Sequence, residues 1–134
     1  KTIIMNSLVT FEFLGFVDED LLAAVLNNAS VCVNPLRLDA KFARHSFPSK
    51  VLAYLSYGNT VVTSRTPGVL PLLDQFDNIY TYSFDCPKEI AKQINIALSQ
   101  KVNRERNVAK TKMFFEKQTS ELIEFWSSVL SSEY

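Results

Sequence analysis

Two periodicities divide this chain, one of helices and one of strands, and the switches between them mark its elements. Val9 to Phe16 is rich in β-formers and reads as a strand. Asp18-Glu19-Asp20 closes it and supplies a carboxylate-rich helix start. Leu21, Leu22, Val25, Leu26 and Ala29 then recur at helical spacing and predict one buried stripe. Ser30 to Asn34 is a short continuous apolar strand ended by Pro35, and apolar residues on both faces suit the middle of a parallel sheet. A polar loop runs from Leu36 to His45. The next helix is expected to begin near Ser46, with Pro48 in its first turn, where proline forfeits no intrahelical hydrogen bond. Phe47, Val51, Tyr54 and Leu55 form its expected apolar face. Ser46, Ser49, Lys50 and Ala53 share another, and Gly58 stops it.

The second half continues the alternation. Thr60 to Ser64 is a strand, Pro67-Gly68 opens a helical turn through Leu73, and Asn78 to Tyr82 is a further strand. Asp85-Cys86-Pro87 starts a helix whose stripe is Ile90, Ile94, Ala97 and Leu98. From Asn103 the chain reads as helix, interrupted near Gln118 to Ser120 and restarted by Ser120 and Glu121. Leu122, Phe125, Trp126 and Val129 form its last apolar face, with Trp126 as a core anchor. Strands alternating with helices predict an α/β domain with a parallel sheet. No repeat, linker or low-complexity tract divides it, so residues 1–134 form a single domain.

Composition narrows the function classes. Fourteen basic residues balance fourteen acidic ones, which gives no electrostatic case for a nucleic-acid partner. No apolar run reaches the roughly 20 residues that cross a bilayer, and no basic leader precedes an apolar one. The two cysteines, Cys32 and Cys86, lack metal-ligand spacing; Cys32 falls in an apolar strand and reads as a buried, reduced thiol. A cytoplasmic setting follows from that reading. Lys101, Arg104, Arg106, Lys110, Lys112 and Lys117 give the C-terminal helix a basic character beside Met113, Phe114 and Phe115. That pattern allows a peripheral contact with an anionic membrane. The plainer reading is a solvated face of a helix packed on the domain.

In an open parallel sheet, ligands bind at the carboxyl ends of the strands. The richest loop there carries Arg37, Asp39, Lys41, Arg44 and His45 within nine positions and leads into Ser46 and Lys50. A helix N-terminus offers free N–H groups and partial positive charge, and Lys50 adds a full one, a combination suited to phosphate. The alternative is a solvated loop with an N-capping serine. His45 is the only histidine, which excludes a histidine metal cluster, and no hydrolase-type nucleophile motif surrounds it. It reads as a hydrogen-bonding or substrate-facing loop residue. No Walker-type loop or G-x-G-x-x-G is present.

The order Phe13-Leu14-Gly15-Phe16-Val17, Leu21-Leu22, Ala29-Ser30 and Val31 to Pro35 resembles part of the donor domain of GT-B glycosyltransferases. The more specific block is Ser46-Phe47-Pro48-Ser49-Lys50, Tyr54-Leu55, Gly58, Val61-Val62 and Pro67-Gly68. It is similar to the nucleotide-sugar site of retaining enzymes that build capsular, O-antigen and other surface polysaccharides. The resemblance implies a Rossmann-like parallel sheet flanked by helices, the partial C-terminal half of a GT-B fold with long C-terminal helices. It implies a donor diphosphate held by Ser46, Phe47, Ser49 and Lys50, and a sugar or ribose near Arg37, His45 and Ala53. The nucleobase would lie near Gly15, Phe16 and Val17. The reaction implied moves a sugar from UDP or GDP to a glycan or lipid-linked acceptor, with no metal and no further cofactor.

Two departures accompany the resemblance. Relatives often carry two glutamates with seven residues between them, and here those positions hold His45 and Ala53. A methyl group at Ala53 cannot hold ribose hydroxyls. The acceptor-binding N-terminal domain is expected to lie outside this chain, which makes the chain alone an inactive fragment. A non-catalytic, glycosyltransferase-like scaffold or partner subunit is therefore the rival reading. A phospho-receiver module is disfavoured, because the Ser30–Pro35 strand ends in Asn34 rather than an acceptor aspartate.

Overall fold

In a computed structural model, residues 10–37, 41, 45–83 and 86–131 are described. Val9, Asp39, Arg44 and Asp85, which entered the sequence reading, lie outside them. Eight elements follow one another: α1 (Glu19–Asn28), β1 (Val31–Asn34), α2 (Ser49–Ser56), β2 (Thr60–Ser64), α3 (Leu70–Leu73), β3 (Ile79–Tyr82), α4 (Pro87–Ser99) and α5 (Arg104–Ser131). The strands form a parallel sheet in the order β1-β2-β3, with Cys32 opposite Val61 and Val61 opposite Ile79. Every residue of β2 is buried, as a central strand covered on both faces requires.

Alternation along β2 feeds two cores. Val61 belongs to a cluster with Val51, Leu52 and Leu55 of α2, Leu72 of α3, Phe76 and Ile79, and Phe114 of α5 packs against it. Val62 faces the other way, toward Tyr82 and Ala97, with Ile90 and Ile94 of α4 alongside. Helices therefore cover both faces of the sheet, and α5 rides on α2. The expected α/β class holds.

Several local expectations do not. Residues 10–18 form no strand, since they gain no ladder partner among the described residues and Phe13 and Phe16 stand exposed. Among the described residues β1 is an edge strand rather than a middle one, with Val33 partly open to solvent. The α1 stripe is buried only at Leu26; Leu21, Leu22 and Val25 have no element packed over them among the described residues. Asp18 does start this helix, accepting the Leu21 N–H at 2.8 Å. In α4, Leu98 is exposed.

The predicted break near Gln118 is absent, and α5 runs unbroken for 28 residues, about 42 Å at the standard rise. The residues that suggested a stop bond within the helix instead. Thr119 and Ser120 donate their hydroxyls to the Phe115 and Glu116 carbonyls, and Lys117 pairs with Glu121. Trp126 is not a core anchor: it is 54% exposed, beside Leu122 and Phe125 at 57% each. These residues lie past the edge of the domain that the first half of α5 covers.

The cysteines differ sharply. Cys32 is buried in β1, and burial pushes its thiol pKa above the usual value, partly offset by the Arg104 charge. Cys86 is exposed at the start of α4. Under native conditions a water-soluble disulfide reagent should consume one thiol promptly and the second only on unfolding. Equal rates for both would contradict the burial of Cys32.

Candidate functional site

Pro48 sets the local geometry of the site. Its φ of −80° and ψ of 48° place it at the centre of a tight turn, in which the Ser49 N–H donates to the Phe47 carbonyl at 2.9 Å. The helix consequently starts at Ser49, three residues later than expected, and Pro48 occupies the N-cap without a capping side chain. Leu52 is the first residue to bond back, to the Pro48 carbonyl at 3.0 Å. The N–H groups of Lys50 and Val51 find no acceptor among the described residues. Two unpaired donors and the positive end of the helix dipole are left at the start of α2.

That start opens on a cavity of about 210 Å³ at the carboxyl ends of β1 and β2. Ser46, Phe47, Pro48, Ser49 and Lys50 form one wall. Asn34, Pro35 and Leu36 form the opposite rim, with Thr63, Thr66 and Val69 at the base. Lys50 is exposed and makes no ion pair among the described residues. Phe47, expected on the apolar face of the helix, is instead 75% exposed, because the Pro48 turn carries it off the helix surface.

The walls are fixed by contacts that strand patterning did not reveal. Gly68 packs so closely on the loop that an added Cβ would lie 2.6 Å from the Ser46 carbonyl oxygen and 3.3 Å from Pro48 Cδ. Thr63 and Asn34 pair reciprocally: the Thr63 hydroxyl donates to the Asn34 carbonyl at 3.1 Å and accepts from its side-chain amide at 3.2 Å. Asn34, Thr63 and Thr66 thus line the cavity although the sequence reading did not single them out. The signal was the change from Val61-Val62 to Thr63-Ser64 at the end of a buried strand.

Other candidates fall elsewhere. His45 lines a separate apolar groove of about 570 Å³ on the far flank of the Ser46–Pro48 loop, with Leu52, Pro71, Leu72 and Phe114. Arg37 is exposed just beyond the Leu36 rim. Ala53 is exposed on α2, one turn past Lys50, and lines neither cavity. Gly15, Phe16 and Val17 precede α1 and are not among the residues around the polar cavity; Gly15 has a φ of 68° with open space around it.

Among the described residues, no three histidines, cysteines or acids converge as a metal site. Asp18-Glu19-Asp20 does carry the D-x-D spacing, which the sequence reading took to be missing. The structure uses Asp18 as the cap of α1, away from the cavity lining. Along α5, Arg106 and Lys110 both reach Asp77, at 3.1 and 3.6 Å, and Lys112 pairs with Glu116. No helix among the described residues is long and apolar enough to cross a membrane.

A parallel sheet with helices on both faces and a polar cavity at its strand ends defines an open α/β ligand-binding domain. The family described as glycosyl transferases group 1 matches residues 4–100, and the chain belongs to it. That membership supports a function in glycosyl transfer. No curated protein and no solved structure gives a significant match to the chain.

Proposed function

We propose that the cavity at the start of α2 holds the diphosphate of a nucleotide sugar, UDP- or GDP-linked. The domain is then the donor-binding part of a retaining glycosyltransferase of polysaccharide assembly. The observation that carries this reading is the start of α2, which no side chain caps and whose Lys50 and Val51 N–H groups meet no acceptor among the described residues, with Lys50 lining that cavity. As the sugar leaves, charge accumulates on the diphosphate oxygens. Fixed N–H donors and an ammonium group stabilise that charge without reorganising. The acceptor, a glycan or a lipid-linked sugar, would meet the donor through a further domain of the same protein. Family membership supports the transfer; the helix start supports the anionic donor.

Lys50→Ala tests this directly. Losing one charge-assisted hydrogen bond should weaken UDP or GDP binding by about tenfold to a hundredfold in calorimetric titration, with thermal unfolding unchanged. Lys50 is exposed, so its removal leaves the core intact. Equal affinity in wild type and variant would remove Lys50 from the site.

A second reading, a non-catalytic scaffold, draws on Ala53, where relatives often carry a ribose-binding glutamate. Ala53→Glu separates the two. Tighter nucleotide binding supports a donor site weakened at this position, whereas no binding by wild type or variant favours the scaffold.

A further inference from the structure

One buried hydroxyl links the rim of the polar cavity to two strands. Ser64, the last residue of β2, is fully enclosed. Its Oγ lies 2.8 Å from the Leu36 nitrogen, 2.6 Å from the Leu36 carbonyl oxygen and 3.0 Å from the Tyr82 hydroxyl. A serine hydroxyl has one proton and two lone pairs. The Leu36 carbonyl can only accept, so it receives the proton. The Leu36 N–H donates to one lone pair. The Tyr82 hydroxyl, itself buried, must then donate to the other. All three capacities of Ser64 are used, and its rotor is held from both sides.

Strand pairing between β1 and β2 ends at Asn34 and Thr63. Just beyond, Ser64 takes over the task by gripping both polar groups of Leu36 with a side chain. Leu36 cannot swing outward without costing the buried Ser64 hydroxyl two of its three hydrogen bonds. Pro35 lies between this clamp and the end of the ladder, so the rim has little freedom. The facing wall is held by the close approach of Gly68 to Ser46.

We propose that Ser64 is a positioning residue of the donor site. It keeps the Pro35–Leu36 rim at a fixed separation from the start of α2, and Tyr82 orients its proton. This rests on the donor-site reading given above. A rim ordered before the ligand arrives need not be ordered on binding, and affinity rises accordingly.

The test uses the whole chain with Ser64→Ala, Tyr82→Phe and a control, Thr111→Val. The control also removes a buried hydroxyl, one bonded to the Leu55 and Asn107 carbonyls away from the cavity. UDP and GDP affinities are measured by calorimetry, the unfolding midpoint by heat, and Leu36 amide exchange by NMR. Ser64→Ala should raise Leu36 exchange at least about tenfold relative to Val62, and weaken nucleotide binding by about tenfold or more. Thr111→Val should lower the midpoint comparably and leave affinity within about twofold, a difference under 0.5 kcal/mol.

If Ser64→Ala behaves like the control in affinity, the proposal fails while the donor reading stands. If wild type binds neither nucleotide, the donor reading fails and takes the proposal with it. Should Ser64→Ala not fold, Tyr82→Phe decides. Faster Leu36 exchange with weaker binding supports the clamp, and wild-type values for either overturn it.

Discussion

Replacing Gly58 with alanine is expected to destabilise the protein by about 3 kcal/mol or more, combining left-handed strain with overpacking. Gly58 has a φ of 73° and closes α2. Its N–H donates to the Leu55 carbonyl at 2.8 Å, while the Asn59 N–H reaches back to Tyr54 at 3.2 Å. This is the paired bonding of a glycine-terminated helix. A second constraint comes from α5. A Cβ at this position would lie 2.5 Å from the Arg104 carbonyl oxygen, 2.8 Å from its Cγ and 3.0 Å from Val108 Cγ2. The backbone oxygen cannot rotate away, so α5 must shift off α2. The unfolding midpoint should fall by about 10 °C for a domain of this size. Gly58→Asn separates the two causes. Asparagine tolerates positive φ, and near-complete recovery by it would show that crowding against α5 contributes little.

Arg104→Ala is expected to cost about 3–5 kcal/mol, since it removes a partly buried charge-assisted network. The guanidinium donates to the carbonyls of Leu26 at 3.1 Å, Tyr57 at 3.4 Å and Ala29 at 2.8 Å. Those carbonyls end α1 and α2, so one cation sits at the negative poles of two helices. None of the described carboxylates pairs with it. The carbonyls and dipoles balance the charge instead.

The loss should be uneven. α1 is held by Leu26 and by this arginine, while the rest of its apolar stripe is open. In Arg104→Ala, amides of α1 should exchange well before those of β2. Arg104→Lys should recover less than half the loss in urea unfolding, because an ammonium lacks the fork that reaches three carbonyls. Uniform loss of protection across the chain would show that the arginine does not tie α1 in particular. Neither residue touches the polar cavity. Both hold α5 against the ends of α1 and α2, and α2 supplies the N-terminus that faces the proposed diphosphate.

Local grammar carried much of the reading. The alternation of apolar strands with striped helices gave the α/β class. Pro35, Gly58 and Pro67-Gly68 marked the ends of elements by limits on their backbone that hold in any fold. The run from Ser46 to Lys50 pointed to a helix start with a cation, and the structure places those residues around one cavity. Arg104, by contrast, looked like one more cation in a basic helix, and only its three carbonyl partners distinguish it.

Periodicity told which residues could be buried, and tertiary contact decided which were. Leu21, Leu22, Val25, Leu122 and Trp126 have the spacing of core residues but stand exposed, with no described element packed on them. Ser64 reads as a polar strand end, yet it is enclosed and fully bonded. The sequence by itself determined the class of fold and much of the punctuation of its elements, because these depend on neighbours along the chain. The walls of the cavity, the clamp on Leu36 and the tie from Arg104 to two helix ends were decided by tertiary structure. Their partners lie 18 to 78 positions away, and no local pattern encodes a contact at that range.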